Sequence, residues 1–127
     1  MSRRFKKHYK IEEARALLPQ IRIWLKDIQE HRAKLQKLDS RLGQIIEGGA
    51  DAGGESVNLQ VKLLAGLQHL LREFEEREIQ IKDLDRGLID FPAIISGKEV
   101  FFCWELDDED IEFWHDLDSG YAGRERL

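Results

Sequence analysis

The chain has a single cysteine in 127 residues, Cys103, so neither an intrachain disulfide framework nor a four-cysteine zinc site can be built from it. A lone thiol also fits a reducing compartment. No run approaches the roughly 18 apolar residues that a membrane-spanning helix needs, and no membrane partner is expected. Arg3, Arg4, Lys6 and Lys7 resemble the start of a signal peptide, but Lys10, Glu12, Glu13 and Arg15 interrupt where the apolar stretch should follow. A cytoplasmic location is therefore expected. Familiar nucleotide loops are missing too: Gly48 to Gly54 is glycine-rich without the lysine and Ser/Thr that cradle phosphate, and no G-x-G-x-x-G occurs. Neither H-E-x-x-H nor G-x-S-x-G is present. Asp83-Leu84-Asp85-Arg86-Gly87 begins like a calcium loop, but Leu88 and Ile94 stand where the turn glycine and bidentate glutamate belong, which leaves a turn.

What is present is charge and helical periodicity. Charged residues are 35% of the chain and apolar ones 42%, a balance that suits long solvated helix faces around one core rather than disorder. The length suits a single domain, residues 1–127. Net charge is −5, unevenly placed: Arg3, Arg4, Lys6, Lys7 and Lys10 open the chain, while Glu105, Asp107, Asp108, Glu109, Asp110 and Glu112 crowd a later stretch. A short basic arm on an acidic chain is weak support for phosphate contacts, so nucleic acid is not the expected partner.

From Pro19 onward, Ile21, Trp24, Ile28, His31, Leu35, Leu38, Leu42 and Ile45 recur in steps of three and four, an a/d seam. Proline suits a first helical turn, so Pro19 is expected to start this helix after a short leading helix from Ile11 to Leu17. The long helix should run to about Glu47, roughly 40 Å at 1.5 Å per residue. Four glycines between Glu47 and Glu55 predict a flexible hinge. Leu63, Leu67, Leu70 and Phe74 mark a second helix from about Ser56 to Arg77, folded back antiparallel. Residues 9–78 are thus a coiled-coil-like hairpin. Leu25, Ile46, Leu64 and Leu71 widen its apolar stripe, which asks for cover from the C-terminal unit or from a second copy. A homodimer is expected.

After Arg77 the pattern alternates. Ile79 and Ile81, Leu88 to Ile95, and Glu99 to Leu106 read as strands, with Ser96-Gly97 as a hairpin turn. Val100 to Trp104 is almost continuously apolar, as in a strand buried on both faces, so the sheet should lie against the helices. The fold class expected is α+β, mostly α: the long helical hairpin, a small antiparallel β unit over 79–127, and an irregular C-terminal tail.

Candidate chemistry concentrates in Asp90, Cys103, Trp104, Glu105, Glu112, Trp114, His115, Asp116, Asp118 and Arg124. Glu112 and His115 have a Glu-x-x-His spacing that on a helix would offer a metal two ligands, but Ile111 and Phe113 alternate with Glu112 and Trp114, which favours a strand and separates them. No cofactor is predicted; a divalent metal at Glu112 and His115 is the only one these residues suggest. In an acid/base arrangement, His115 would be a base oriented by Asp90 or Asp118, and Arg124 would grip an anion through paired hydrogen bonds. With no ligand, Trp104 and Trp114 would fill the helix–sheet interface, His115 would bond backbone, and Arg124 would pin the tail to Asp90. His31 and His69 read as packing and edge positions.

Glu12-Glu13-Ala14 with Leu17-Leu18-Pro19, Lys82-Asp83 with Gly87-Leu88-Ile89-Asp90-Phe91-Pro92, Cys103-Trp104, and Phe113-Trp114-His115-Asp116 with Gly120 and Gly123-Arg124 are the chain's most distinctive pieces. Together they resemble a bacterial domain-of-unknown-function family, number 2203, from about Tyr9 to Arg126. The chain departs from that pattern at Arg15, usually asparagine, and at Asp107 to Asp110, where Gly-Glu-Pro-Glu is usual. The resemblance implies no activity, substrate or cofactor. The function expected first is a small binding or interaction module, dimerising through the hairpin and presenting an aromatic-acidic surface of Trp104, Glu105, Trp114 and Arg124 with His115, for a protein partner or a small anion. The alternatives are a metal-assisted or acid/base enzyme acting on a small anionic substrate through Asp90, His115 and Arg124, and a nucleic-acid accessory protein using the basic arm.

Overall fold

The structure is a computed structural model that describes residues 3–47 and 54–127, with side chains throughout except at 42–47. The predicted hinge between Glu47 and Glu55 therefore lies largely outside the described residues, as do the side chains of the seam positions Leu42 and Ile45 and of the stripe position Ile46. Two helices are followed by a five-stranded antiparallel sheet, which is the α+β, mostly α architecture expected.

Helix α1 runs unbroken over Ile11–Glu47, about 55 Å at 1.5 Å per residue. Its start is fixed by Glu13, whose carboxylate reaches back to accept the Lys10 N–H at 3.2 Å, half of a capping box. Pro19 lies inside this helix instead of starting it, and there is no separate Ile11–Leu17 helix. The reason is packing on both sides of the proline: Ala14 and Leu18 before it, and Ile21, Leu25 and Ile28 after it, are buried in one cluster. That burial, at about 1.5 to 3 kcal/mol per large side chain, exceeds the roughly 3 kcal/mol penalty of an interior proline.

Helix α2, Gly54–Glu76, returns antiparallel, as the partners Asp39 with Gln60, His31 with Gly66 and Trp24 with Phe74 show by their opposite order. At Gly66 the helices approach so closely that an added Cβ would sit 2.7 Å from His31 Nε2, which explains a glycine inside a helix. His31 is thus a packing residue whose Nδ1 is satisfied by the Asp27 carbonyl at 2.8 Å. The helix ends in a Schellman-type cap: Ile79 N–H bonds Phe74 O, Glu78 N–H bonds Glu75 O, and Glu78 takes φ 57°. A glutamate tolerates that conformation here because its carboxylate is tied to the backbone N–H groups of Lys6 and Lys7.

Strands β1 (Gln80–Asp83), β2 (Leu88–Ile95), β3 (Lys98–Trp104), β4 (Phe113–Asp116) and β5 (Glu125–Arg126) form a meander in chain order. Ser96 (φ 51°) and Gly97 (φ 77°) make the two-residue turn that sets the β2–β3 register, with Ile95 opposite Lys98 and Asp90 opposite Cys103. The tail, expected to be irregular, adds β5 against β4, Trp114 opposite Glu125.

One face of the sheet carries Ile89, Phe91, Val100, Phe102 and Trp104 and packs on α1 and α2 in the main core, with Leu25 among the covered residues. The C-terminal unit thus covers part of the wide stripe, while Leu64 stays 45% exposed. The other face carries Asp90, Cys103, Phe101 and His115, which the register places side by side. It is covered by the N-terminal arm, where Phe5 meets Phe101 edge-on at 5.4 Å, and by the segment after β4. Glu99 holds the arm: it accepts the N–H groups of Arg4 and Phe5, and one of its oxygens lies 2.6 Å from His8 Nε2. Arg4 reaches Asp118 and Lys7 reaches Glu13, so part of the arm's charge is met within the chain.

Candidate functional site

On the arm-covered face, His115 and Asp90 are 3% and 2% exposed, and His115 Nε2 is 3.0 Å from Asp90 Oδ2. His115 Nδ1 lies 2.8 Å from the carbonyl oxygen of Asp116, which can only accept, so Nδ1 carries a proton. A second proton then sits between Nε2 and Oδ2, since a bare imidazole nitrogen facing a carboxylate would be two acceptors in contact. Burial drives the Asp90 carboxyl above its ordinary range, opposed by the charges of His115 and Lys82. Among the described residues the Asp90 Oδ1 atom has no hydrogen-bond partner beyond the Cys103 thiol beside the carboxyl, which is at most a weak donor. A buried orphan acceptor costs about 1 to 3 kcal/mol, so a fold that keeps one calls for an explanation.

Cys103 is buried directly across from Asp90. Burial and the Asp90 charge push its thiol up to about 12, with Arg124 acting in the opposite direction. One oxygen of Asp90, Sγ of Cys103 and a ring nitrogen of His115 all lie within 4.8 Å of one another. Among the described residues these donors form a compact buried set.

Above them is a cavity of about 210 Å³, bounded by Lys82, Leu88, Phe101 and the segment Leu117, Ser119, Gly120 and Tyr121. The Lys82 ammonium stands over the Phe101 ring at 5.5 Å. A larger hollow of about 780 Å³ lies between the start of α1 and the ends of β2 and β3, but its charged lining, His8, Lys10 and Arg15, is partly or fully exposed and forms no buried cluster. The smaller cavity is the one with chemistry at its floor.

Of the residues singled out from sequence, Asp90, Cys103 and His115 come together, and Glu105, Glu112, Trp104, Trp114 and Asp118 do not join them. Glu112 is exposed and sits just before β4, outside the strand expected to carry it, and does not come to His115. Asp118 is exposed and bonds Arg4 at 3.1 Å. Arg124 does not pin Asp90; it bonds the Tyr121 hydroxyl at 2.8 Å and stacks on Phe113 and Tyr121, because the tail turns back to pair β5 with β4. Trp104 is 0% exposed, its indole N–H bonded to Asp108 O, so the surface imagined around Trp104 and His115 is not on the outside. Trp114 is half-buried against the main core, and Glu105 pairs closely with Arg86.

The acidic loop is gripped by α1: Arg22 bonds the carbonyls of Asp108 and Glu109, and Arg15 bonds Ile111 O and pairs with Asp110 at 2.8 Å. The two departures from the family pattern noted above thus meet in one ion pair.

Two residues of the site had no role assigned to them from the sequence, although Cys103 stood among the candidates. Cys103 could have been found by counting outward from the Ser96-Gly97 turn, because a two-residue turn fixes the register and sets Asp90 opposite Cys103. Lys82, though part of the distinctive Lys82-Asp83 pair, carried no signal of a place at this cavity, which follows from β1 adding to the edge of β2.

A family model described as an uncharacterized conserved protein (DUF2203) matches residues 7–127, nearly the whole chain. No curated protein and no solved structure matches.

Proposed function

The chain belongs to that uncharacterised family, DUF2203, and we propose that it is a binding module for a small anion held in the cavity over Asp90 and His115. The observation that carries this is the orphan Oδ1 of Asp90, buried at the cavity floor, which calls for a donor. Lys82 at the wall supplies a cation. A small carboxylate bearing a hydroxyl satisfies both, its anionic end toward Lys82 and its hydroxyl toward Asp90. The Asp90–His115 pair, already holding a proton between its members, is also equipped to exchange one with such a hydroxyl. Glycolate and acetate, titrated into the protein while amide NMR shifts are followed, test this. Glycolate should move the Cys103 and Gly120 amides more than acetate does, and Lys82→Ala should abolish both responses. If neither anion moves those amides, the cavity is not an anion site.

A second reading, association of two copies through the hairpin, is favoured by Val57, Val61 and Leu64, exposed at i, i+4 and i+7 along α2. Light scattering should then report a dimer that Val61→Glu dissociates; a wild-type monomer ends that reading.

A further inference from the structure

Resting on the cavity being the functional site, we infer that Asp90, Cys103 and His115 are the three protein ligands of a divalent transition-metal ion, Zn²⁺ by their donor types, with a fourth position open to the cavity. Tetrahedral coordination at Zn–N and Zn–O of about 2.0 Å and Zn–S of about 2.3 Å places donors roughly 3.3 to 3.6 Å apart. The donors already stand near that spacing, 3.0 Å between Asp90 Oδ2 and His115 Nε2 and no more than 4.8 Å between any two of the set.

Three further features support a metal over a purely structural cluster. The His115 Nδ1–H is already committed to a backbone carbonyl, the outer-shell bond that orients an imidazole so that Nε2 ligates. Among the described residues Asp90 keeps an oxygen with no partner stronger than the Cys103 thiol although only 2% of the residue is exposed, and a cation would satisfy it. The ligands also sit on adjacent, hydrogen-bonded strands, a rigid support. The donor set discriminates among ions: a thiolate and an imidazole suit Zn²⁺ or Co²⁺ and are poor partners for Ca²⁺ or Mg²⁺, which take oxygen. Three protein ligands with one position left for a small molecule is the pattern of catalytic rather than structural zinc, and Lys82 beside that position favours an anionic fourth ligand.

Charge and protons balance. The ion displaces the thiol proton of Cys103 and the proton held between Asp90 and His115, and both leave to solvent. The bound ion then faces one thiolate, one carboxylate and one neutral imidazole, so the site stays neutral overall.

Because Cys103 is the chain's only cysteine, a thiolate signal can come from nowhere else. Full-length, untagged, metal-stripped and reduced protein is titrated with Co²⁺, and separately with Zn²⁺ in weak buffer. Expected are one ion per chain, a near-ultraviolet thiolate-to-cobalt charge-transfer band with visible bands of tetrahedral intensity, and two protons released per Zn²⁺. Cys103→Ser, checked for folding by circular dichroism, should lose the charge-transfer band; if that variant does not fold, the wild-type band and proton count decide alone. Absence of the band in the wild type overturns the metal site, as does a proton count near zero. Glycolate binding by the metal-free protein with no cobalt band overturns the metal and leaves the anion reading intact. A cobalt band with no glycolate response upholds the metal and removes the anion.

Discussion

The two faces of the sheet bury their side chains to similar depth with opposite chemistry. The helix-facing side is wholly apolar at its centre: Ile89, Phe91, Val100, Phe102 and Trp104 meet Leu18, Ile21, Leu25 and Ile28 of α1. The arm-facing side buries a carboxyl, an imidazole and a thiol around Phe101 under a much lighter cover, the N-terminal arm and the short segment after β4. Apolar burial stabilises in proportion to area, whereas a buried polar pair at best breaks even against apolar residues of the same size. The first face therefore holds the fold together, and the second bears groups that stability alone does not require.

The sharpest break in that comparison is on the helix side. Phe91→Ala should destabilise by about 4 kcal/mol, since it removes a fully buried ring that also meets Tyr9 edge-on, and urea unfolding reads this directly. On the other face, His115→Ala should cost about 3 kcal/mol by leaving Asp90 without its partner, but replacing both residues, Asp90→Leu with His115→Leu, should recover to within about 1 kcal/mol of wild type. A double variant as unstable as the single one would mean that the polar pair is itself structural.

Smaller effects test the helices. Gly66→Ala should cost about 1 to 2 kcal/mol because its Cβ would meet His31 Nε2, and His31→Ala in the same chain should relieve most of that, as a double-mutant cycle would show. Pro19→Ala should instead stabilise, by about 1 to 2 kcal/mol, since Pro19 is exposed and its replacement restores a donor to the Arg15 carbonyl; a loss of stability would show that the ring shapes α1.

The smallest effect is on the arm. Burial raises the Glu99 carboxyl, but His8 and the amides of Arg4 and Phe5 outweigh it and bring it down to about 2. Its unfolded form titrates higher, so between the ordinary carboxylate range and about 2 the unfolded chain binds more protons, and stability falls as pH drops through that window. Above it the contribution is fully present. Glu99→Gln should flatten this acid limb in pH-dependent unfolding, with little change near neutrality beyond the lost arm contacts.

Much of the fold is readable along the chain because its signals are local. Steps of three and four from Ile21 to Leu38 could only bury one face as a helix, and Val100 to Trp104 could only be apolar throughout if both faces were covered. Pro19 misled because a proline's local preference is for a helix start, and only the packing of Ala14 and Leu18 with Ile21 and Leu25 shows the chain continuing through it. Arg124 and Asp118 looked like partners of Asp90 and His115 because they are close in sequence to His115; strand pairing and the arm took them elsewhere.

The sequence by itself determined the element types, the α+β class, the strand placement of His115, and the family. Periodicity and turn chemistry act over a few residues, and family membership is a property of the pattern. The tertiary structure alone decided that Asp90, Cys103 and His115 share one buried face, that Lys82 stands at their cavity, and that Trp104 faces inward. Those outcomes depend on which strand edges pair and which surfaces the helices and the arm cover, and such contacts join residues tens of positions apart that carry no mark of one another.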